Sequence, residues 1–379
     1  MGMIFGVLFI LFVYGSVNYY IAGRLYRWLC LLFPSVNKTL YMGVYALIAM
    51  TLVISFMPLD FVGKHLINWI GAYWMGIFIY LFIFLILTDL LLFIGSGVKI
   101  IPNPIPVRVR FYTGLAVVLL TTAFVGYGIF HAHQLKHVSY EVQLKEDTLS
   151  KDVKVVLISD LHLGAVNSEK YLEDIVKSIN DLKPDIVTMA GDIFNDNFNE
   201  IKDPEKAMDM LKQISTTYGV YASLGNHDAG KTFNEMVRFL GKSNIKLLKD
   251  EYVVIDEQLI LIGRVDPSPI GGFDGLERKE IKDILSTIDD KNMPIVVMDH
   301  TPSNLEQYDE HIDLVLSGHT HKGQIFPGNL ITNLLFEVDY GHDQKNADRP
   351  QIIVTSGVGT WGMPMRVGSD REIVSITLR

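Results

Sequence analysis

The chain has 379 residues, 49% hydrophobic and 20% charged, with 33 Lys/Arg against 42 Asp/Glu and a net charge of −9. That length admits two domains, and the acidic balance argues against nucleic acid as a partner, which is normally met by a basic surface. The one cysteine, Cys30, excludes an internal disulfide, leaves the compartment open and reads as a small packed residue.

Charge is unevenly divided: residues 1–135 carry 7 Lys/Arg and 2 Asp/Glu, the remainder 26 and 40. Four apolar stretches, at 3–22, 40–58, 66–94 and 111–130, approach or exceed the ~20 residues that cross a bilayer. The first lacks a basic n-region and a small-residue cleavage site, so it reads as a span rather than a signal peptide. The third is long enough to tilt or extend past the bilayer, and Trp69, Tyr73 and Trp74 near its start suit an interfacial belt. Arg24, Arg27 and Lys38 follow span one, and Lys99, Arg108 and Arg110 follow span three. The intervening loop holds Asp60 and Lys64. The positive-inside rule makes the two basic loops cytoplasmic and puts both termini outside, although Lys136 and Lys145 reduce the bias. Asp89, the one acid within a span, reads as a residue near the cytoplasmic end, close to Lys99 or Arg108, rather than as an intramembrane site.

Residues 131–137, with three His, read as a solvated linker to a second domain at 136–379. An edge strand is expected at 140–144. Apolar strand runs follow at 153–159, 185–190, 219–224, 252–256, 259–264, 294–299, 313–317, 351–355 and 372–378. Helical patterns fall at 168–182, with Ser168 as N-cap, and at 204–217, 231–242 and 277–288. The alternation predicts an α/β domain, and the scarcity of late helices favours a mixed sheet or a two-sheet sandwich. The stretch Phe326–Arg349 has no clear periodicity and reads as a long pocket-shaping loop, with Phe336 and Tyr340 as its candidates.

Five polar blocks stand just after strand runs: Asp160-Leu161-His162, Gly191-Asp192, Gly225-Asn226-His227-Asp228, His300 and Gly318-His319-Thr320-His321. Open α/β sheets place their sites just beyond strand ends. The blocks offer seven oxygen or nitrogen ligands, enough for two metal ions, and the imidazoles suit Mn, Fe, Zn or Ni better than Ca or Mg. Asp160 and Asp192 only half-neutralise two divalent ions, which leaves a pocket that attracts phosphate and acidifies water. His227, beside a ligand but spare, is placed to protonate the leaving oxygen.

This arrangement resembles the calcineurin-like metallophosphoesterase superfamily, most of all its membrane-associated bacterial branch. The resemblance covers residues 138–379 and rests on Ser159–His162, Ala190–Asp192, Leu224–Asp228, Ser317–His321 and the tail Ser356–Thr360 with Pro364 and Arg366. It implies a metal-bearing β-sandwich flanked by helices, here preceded by a four-helix transmembrane domain. It also implies one metal held by Asp160, His162, Asp192 and His321, and a second held by Asp192, Asn226, His300 and His319, with manganese foremost. Two positions depart from the family pattern. Where an acid often orients the spare His, this chain has Asn195 with Asp196 next to it, so either residue can support His227. Where a glycine often follows the last motif, it has Lys322, a substrate-contact candidate together with Trp361 and Arg366.

The leading expectation is a multi-pass membrane phosphoesterase, its catalytic domain outside the cytoplasm, acting on a phosphorylated small molecule or lipid. The alternatives are a cytoplasmic-face pyrophosphatase of a nucleotide-linked lipid, and a non-catalytic scaffold. The retained ligand set and His227 speak against the scaffold.

Overall fold

The computed structural model describes all residues except 1, 58, 60, 146–148, 168, 290–292 and 347. The expected N-cap Ser168 and the loop acid Asp60 lie outside the described residues. The chain forms two compact units, Met1–Ile129 and Phe130–Arg379, with the boundary six residues before the one expected from sequence.

The first unit consists of helices α1 (Gly2–Leu32), α2 (Lys38–Ser55), α3 (Lys64–Gly97) and α4 (Val107–His131), all long and apolar enough to cross a membrane. Arg24 and Arg27 lie inside the last turns of α1, and Arg108 and Arg110 inside the first of α4, so these charges belong to helix ends rather than loops. Asp89 was expected to sit near Lys99 or Arg108. It instead pairs with Arg24 and accepts a 2.7 Å hydrogen bond from Tyr20, which brings a charged pair between α1 and α3. Trp74, expected in an interfacial belt, is buried and donates to the Tyr14 hydroxyl at 3.0 Å. Lys64 caps α2 by donating to the carbonyls of Ile54, Ser55 and Met57.

In the second unit the order is β1 (Leu135–Val142), β2 (Val153–Ile158), α5 (Glu169–Leu182), β3 (Ile186–Ala190), α6 (Pro204–Leu211), β4 (Gly219–Ser223), α7 (Phe233–Lys242), β5 (Ile245–Leu247), β6 (Glu251–Ile255), β7 (Leu259–Gly263) and α8 (Ile281–Leu285). Then follow β8 (Ile295–Met298), β9 (Leu314–Ser317), α9 (Gly328–Leu335), β10 (Gly341–Asp343), β11 (Gln351–Val354) and β12 (Arg371–Leu378). Two six-stranded sheets form, ordered β1-β12-β2-β3-β4-β5 and β10-β11-β9-β8-β7-β6. Strands β2, β3 and β4 run parallel, as do β7, β8, β9 and β11.

Alternation along the strands explains the layers. Val155 and Leu157 face a core between the sheets that also holds Leu261, Val296, Leu316 and Ile376. Val156 and Ile158 face the opposite way, against Leu172 and Ile175 of α5 and Phe239 of α7. The second sheet turns Ile260, Ile262 and Val297 toward Ile281 and Ile284 of α8. The result is the expected β-sandwich with helices on both outer faces.

Several boundaries differ from the sequence reading. The presumed linker narrows to residues 132–134, because β1 begins at Leu135, where a parallel partner in β12 pairs with it. The helices expected at 204–217 and 277–288 shrink to eight and five residues. The segment read as an aperiodic loop contains α9 and β10.

Candidate metal centre

The site stands at the carboxyl ends of parallel strands from both sheets. Asp160 and His162 follow β2, Asp192 follows β3, Asn226 follows β4, His300 follows β8, and His319 and His321 follow β9. Five of these residues, Asp160, His162, Asp192, His319 and His321, have positive φ between 46° and 71°. Left-handed backbone at non-glycine residues is a strained state that persists where surrounding structure enforces it, and it gathers at functional sites. Gly225 permits the closest approach: a Cβ there would lie 2.2 Å from Asp192 Oδ1.

Two ligand clusters result. Asp160, His162 and His321 form one, and Asp192, His300 and His319 the other, with the ligand atoms of each within 4.8 Å of one another. In the first, His162 Nε2 stands 3.1 Å from His321 Nε2, and His321 Nε2 stands 3.3 Å from Asp160 Oδ1. In the second, His319 Nδ1 is 3.0 Å from Asn226 Oδ1 and 3.3 Å from His300 Nε2. Asp192 Oδ2 is shared, 3.0 Å from His300 Nε2 and 3.7 Å from His162 Nε2. Separations near 3 Å are what donor atoms bound to a common ion at about 2.1 Å would show.

The surroundings fit metal ligation. His300 Nδ1 donates to the Ala190 carbonyl at 2.8 Å, which fixes the ring with Nε2 turned toward Asp192 and the centre. Burial lowers the pKa of His162 to about 3 and of His319 to about 4, and places His321 well below its ordinary value, so all three rings are neutral. Burial opposes ionisation of Asp192, yet the facing His300 outweighs it and holds that carboxyl well below its usual range. His162 Nδ1 is buried without a hydrogen-bond partner among the described residues.

His227 stands over the first cluster, its ring 5.1 Å from that of His162 and 6.0 Å from Trp361. Its Nδ1 meets Asp196 Oδ1 at 2.8 Å. Of the two open candidates, Asp196 makes the contact, from a residue with φ of 62°; Asn195 does not make it. Burial alone would lower the His227 pKa, but the Asp196 hydrogen bond and the Asp192 charge raise it.

Arg366 requires correction. It was expected to touch substrate but is fully buried, where it donates to the carbonyls of His321 at 3.1 Å and Gly359 at 2.6 Å. It holds the turn that carries His321 and has no free face. Lys322 lies 3.9 Å over the Tyr340 ring, and Trp361 is 37% exposed beside His227. Phe336, from the segment read as a loop, packs its ring 5.7 Å from His319.

Two positioning residues were missed. Asp228 accepts from the Phe194 and Gly225 amides, both at 2.8 Å, and so ties the loop after β3 to the loop after β4. Its place in the Gly225–Asp228 block was the available signal. Asn167 donates to the carbonyls of Leu161, His162 and Thr360, and a lone asparagine carries no signal in sequence.

Comparison with known proteins agrees with this geometry. The family described as calcineurin-like phosphoesterase matches residues 153–323. A Campylobacter jejuni protein named an uncharacterized metallophosphoesterase is 30% identical over 271 residues, which are 70% of this chain and 69% of that protein. An Aquifex aeolicus protein of the same description is 31% identical over 67% of this chain and 95% of its own length. A Danio rerio protein named "Transmembrane protein with metallophosphoesterase domain" is 28% identical over 69% of this chain and 61% of that protein.

Proposed function

The chain belongs to the calcineurin-like metallophosphoesterase family, and from that premise we propose that it is a membrane-anchored hydrolase of a phosphate mono- or diester, working at a two-metal centre on a lipid-linked or envelope substrate. The observation that carries the reading is the shared Asp192 carboxylate between two histidine-bearing clusters. Asp160, His162, Asp192 and His321 would hold one ion, and Asp192, Asn226, His300 and His319 the other. Bound there, two divalent ions would neutralise phosphate charge and lower the pKa of water at the site.

The chain's own residues supply the remainder. Asp192 Oδ1 accepts the His227 backbone N–H at 2.8 Å, which fixes His227 relative to the centre. Protonated His227, supported by Asp196, gives its proton to the departing oxygen. Trp361 walls the same side and Lys322 adds positive charge.

Membrane attachment is supported by four helices of spanning length and by transmembrane relatives. The basic residues gather at the α1–α2 and α3–α4 ends, which favours a catalytic unit outside the cytoplasm. A reporter fused after Arg379 tests the side: activity confined to a cytoplasm-dependent reporter overturns it. Turnover of aryl phosphates and phosphodiesters by the purified chain with Mn²⁺ tests the chemistry. Absence of turnover on every ester, in protein that binds metal, refutes it.

A further inference from the structure

Helix α9 stands beside the metal centre with its apolar face uncovered. Leu334 is 86% exposed, Leu335 72%, Ile331 58% and Leu330 56%, and no residue of the helix is buried. Contiguous exposed apolar side chains on a folded domain mark an interaction surface. The 14 residues Gly323–Phe336 hold no Asp, Glu, Lys or Arg.

The helix is fixed to the ligand turn. Gly328 approaches Gly323 so closely that a Cβ on it would meet the Gly323 carbonyl oxygen at 2.3 Å. Asp339 accepts from Thr332 of α9 through its carboxylate at 2.9 Å. Its carbonyl accepts from Thr320, the residue between His319 and His321, at 2.6 Å. Whatever α9 rests on is therefore held beside the metal ligands.

We infer that α9 is an interfacial helix whose Leu330, Ile331, Leu334 and Leu335 face sits in the headgroup–acyl boundary of a lipid bilayer, so that the metal centre opens at the lipid surface and takes phosphate borne on lipids. The occupant follows from charge and connectivity. An uncharged stretch complements hydrocarbon rather than an ionic protein rim. The chain also carries helices of membrane-spanning length, the last of which, α4, is followed by β1 after residues 132–134 alone. The helix is 8 residues long, about 12 Å, too short to span but long enough to lie in the interface. The substrate class rests on the phosphoesterase reading above; the docking of α9 does not.

The test uses the full chain with Cys30→Ala, reconstituted in 3:1 phosphatidylcholine–phosphatidylglycerol vesicles. A nitroxide is placed at Leu334→Cys or, as a control, at the exposed Lys282→Cys of α8. Collisions of each label with oxygen and with a water-soluble nickel chelate are read by power saturation. An oxygen-to-nickel ratio at position 334 on the order of tenfold above that at 282 is expected for a helix seated in lipid. Equal ratios overturn the inference. So does exclusion of both reagents at 334, the signature of a protein cover such as a second copy. Turnover of a water-soluble aryl phosphate by Leu334→Asn/Leu335→Asn, within about twofold of the parent, confirms that the metal centre survives without the face. A label immersed in lipid on a chain that hydrolyses no ester sinks the phosphoesterase reading and keeps the docking; the reverse result sinks the docking alone.

Discussion

Replacing Asp196 by Asn isolates the support of the leaving-group acid. The substitution keeps an acceptor opposite His227 Nδ1 at the 2.8 Å contact but removes the charge. A hydrogen bond to a charged partner contributes about 1.5–3 kcal/mol. The Asp196 side chain is 42% exposed, so solvent screening brings this to about 1–2 kcal/mol, or roughly 5–30-fold in kcat. The pH profile supplies the sign. Burial, which lowers the His227 pKa, is at present outweighed by Asp196 and Asp192. Without the Asp196 charge the pKa falls, the acid form is lost at lower pH, and the alkaline limb of the rate moves down. The loss should be large for an alkyl ester, whose leaving oxygen needs a proton, and small for a 4-nitrophenyl ester, which departs unaided. Initial rates on the two esters from pH 5 to 10 provide the assay. A neutral Asp196→Asn together with a damaging Asn195→Ala would refute the assignment, as would equal losses on both esters.

Three further outcomes are expected. Arg366→Met releases the His321 turn and should weaken metal affinity 10–100-fold, read by competition with a chelating dye. Arg366→Lys should not rescue it, because the His321 and Gly359 carbonyls are met by two separate guanidinium nitrogens, Nη1 and Nη2, and the single nitrogen of lysine cannot occupy both positions. Asp228→Ala leaves two buried amides unpaired and should lower stability by about 2–4 kcal/mol, measured by denaturant unfolding of the second unit's signal. In the membrane unit, Asp89→Leu should lower the unfolding temperature in detergent by stranding Arg24, and Asp89→Leu/Arg24→Leu should recover most of it.

Periodicity and strand-end chemistry made much of this molecule legible before its coordinates. The run Val153–Ser159, apolar from Val155 to Ile158, marked β2 as a strand covered on both faces, and it lies between two cores. The ligands were legible because each follows a strand that ends in a tight turn. Contacts between residues distant in sequence left no local trace. Nothing near Arg366 indicates that its guanidinium meets His321, 45 residues away, and a buried arginine reads as a substrate contact until its carbonyl partners are known. The partner of Asp89 was misread for the same reason, since Arg24 lies on another helix. Helix α9 was missed because it is only eight residues long and opens on Gly328 behind Pro327, too short a run to display helical periodicity in sequence. The choice between Asn195 and Asp196 depended on which of two adjacent loop side chains faces His227, a contact across 31 residues that no local pattern encodes.

Metal stoichiometry followed together with turnover tests the two-metal claim most directly. The full chain, stripped by chelation and titrated with Mn²⁺, should regain aryl phosphodiesterase activity only as the second equivalent binds, and Asp192→Asn should hold fewer ions and recover less than a hundredth of the rate. Full activity in the stripped protein, or saturation of activity at one equivalent, would contradict a centre built around a shared Asp192.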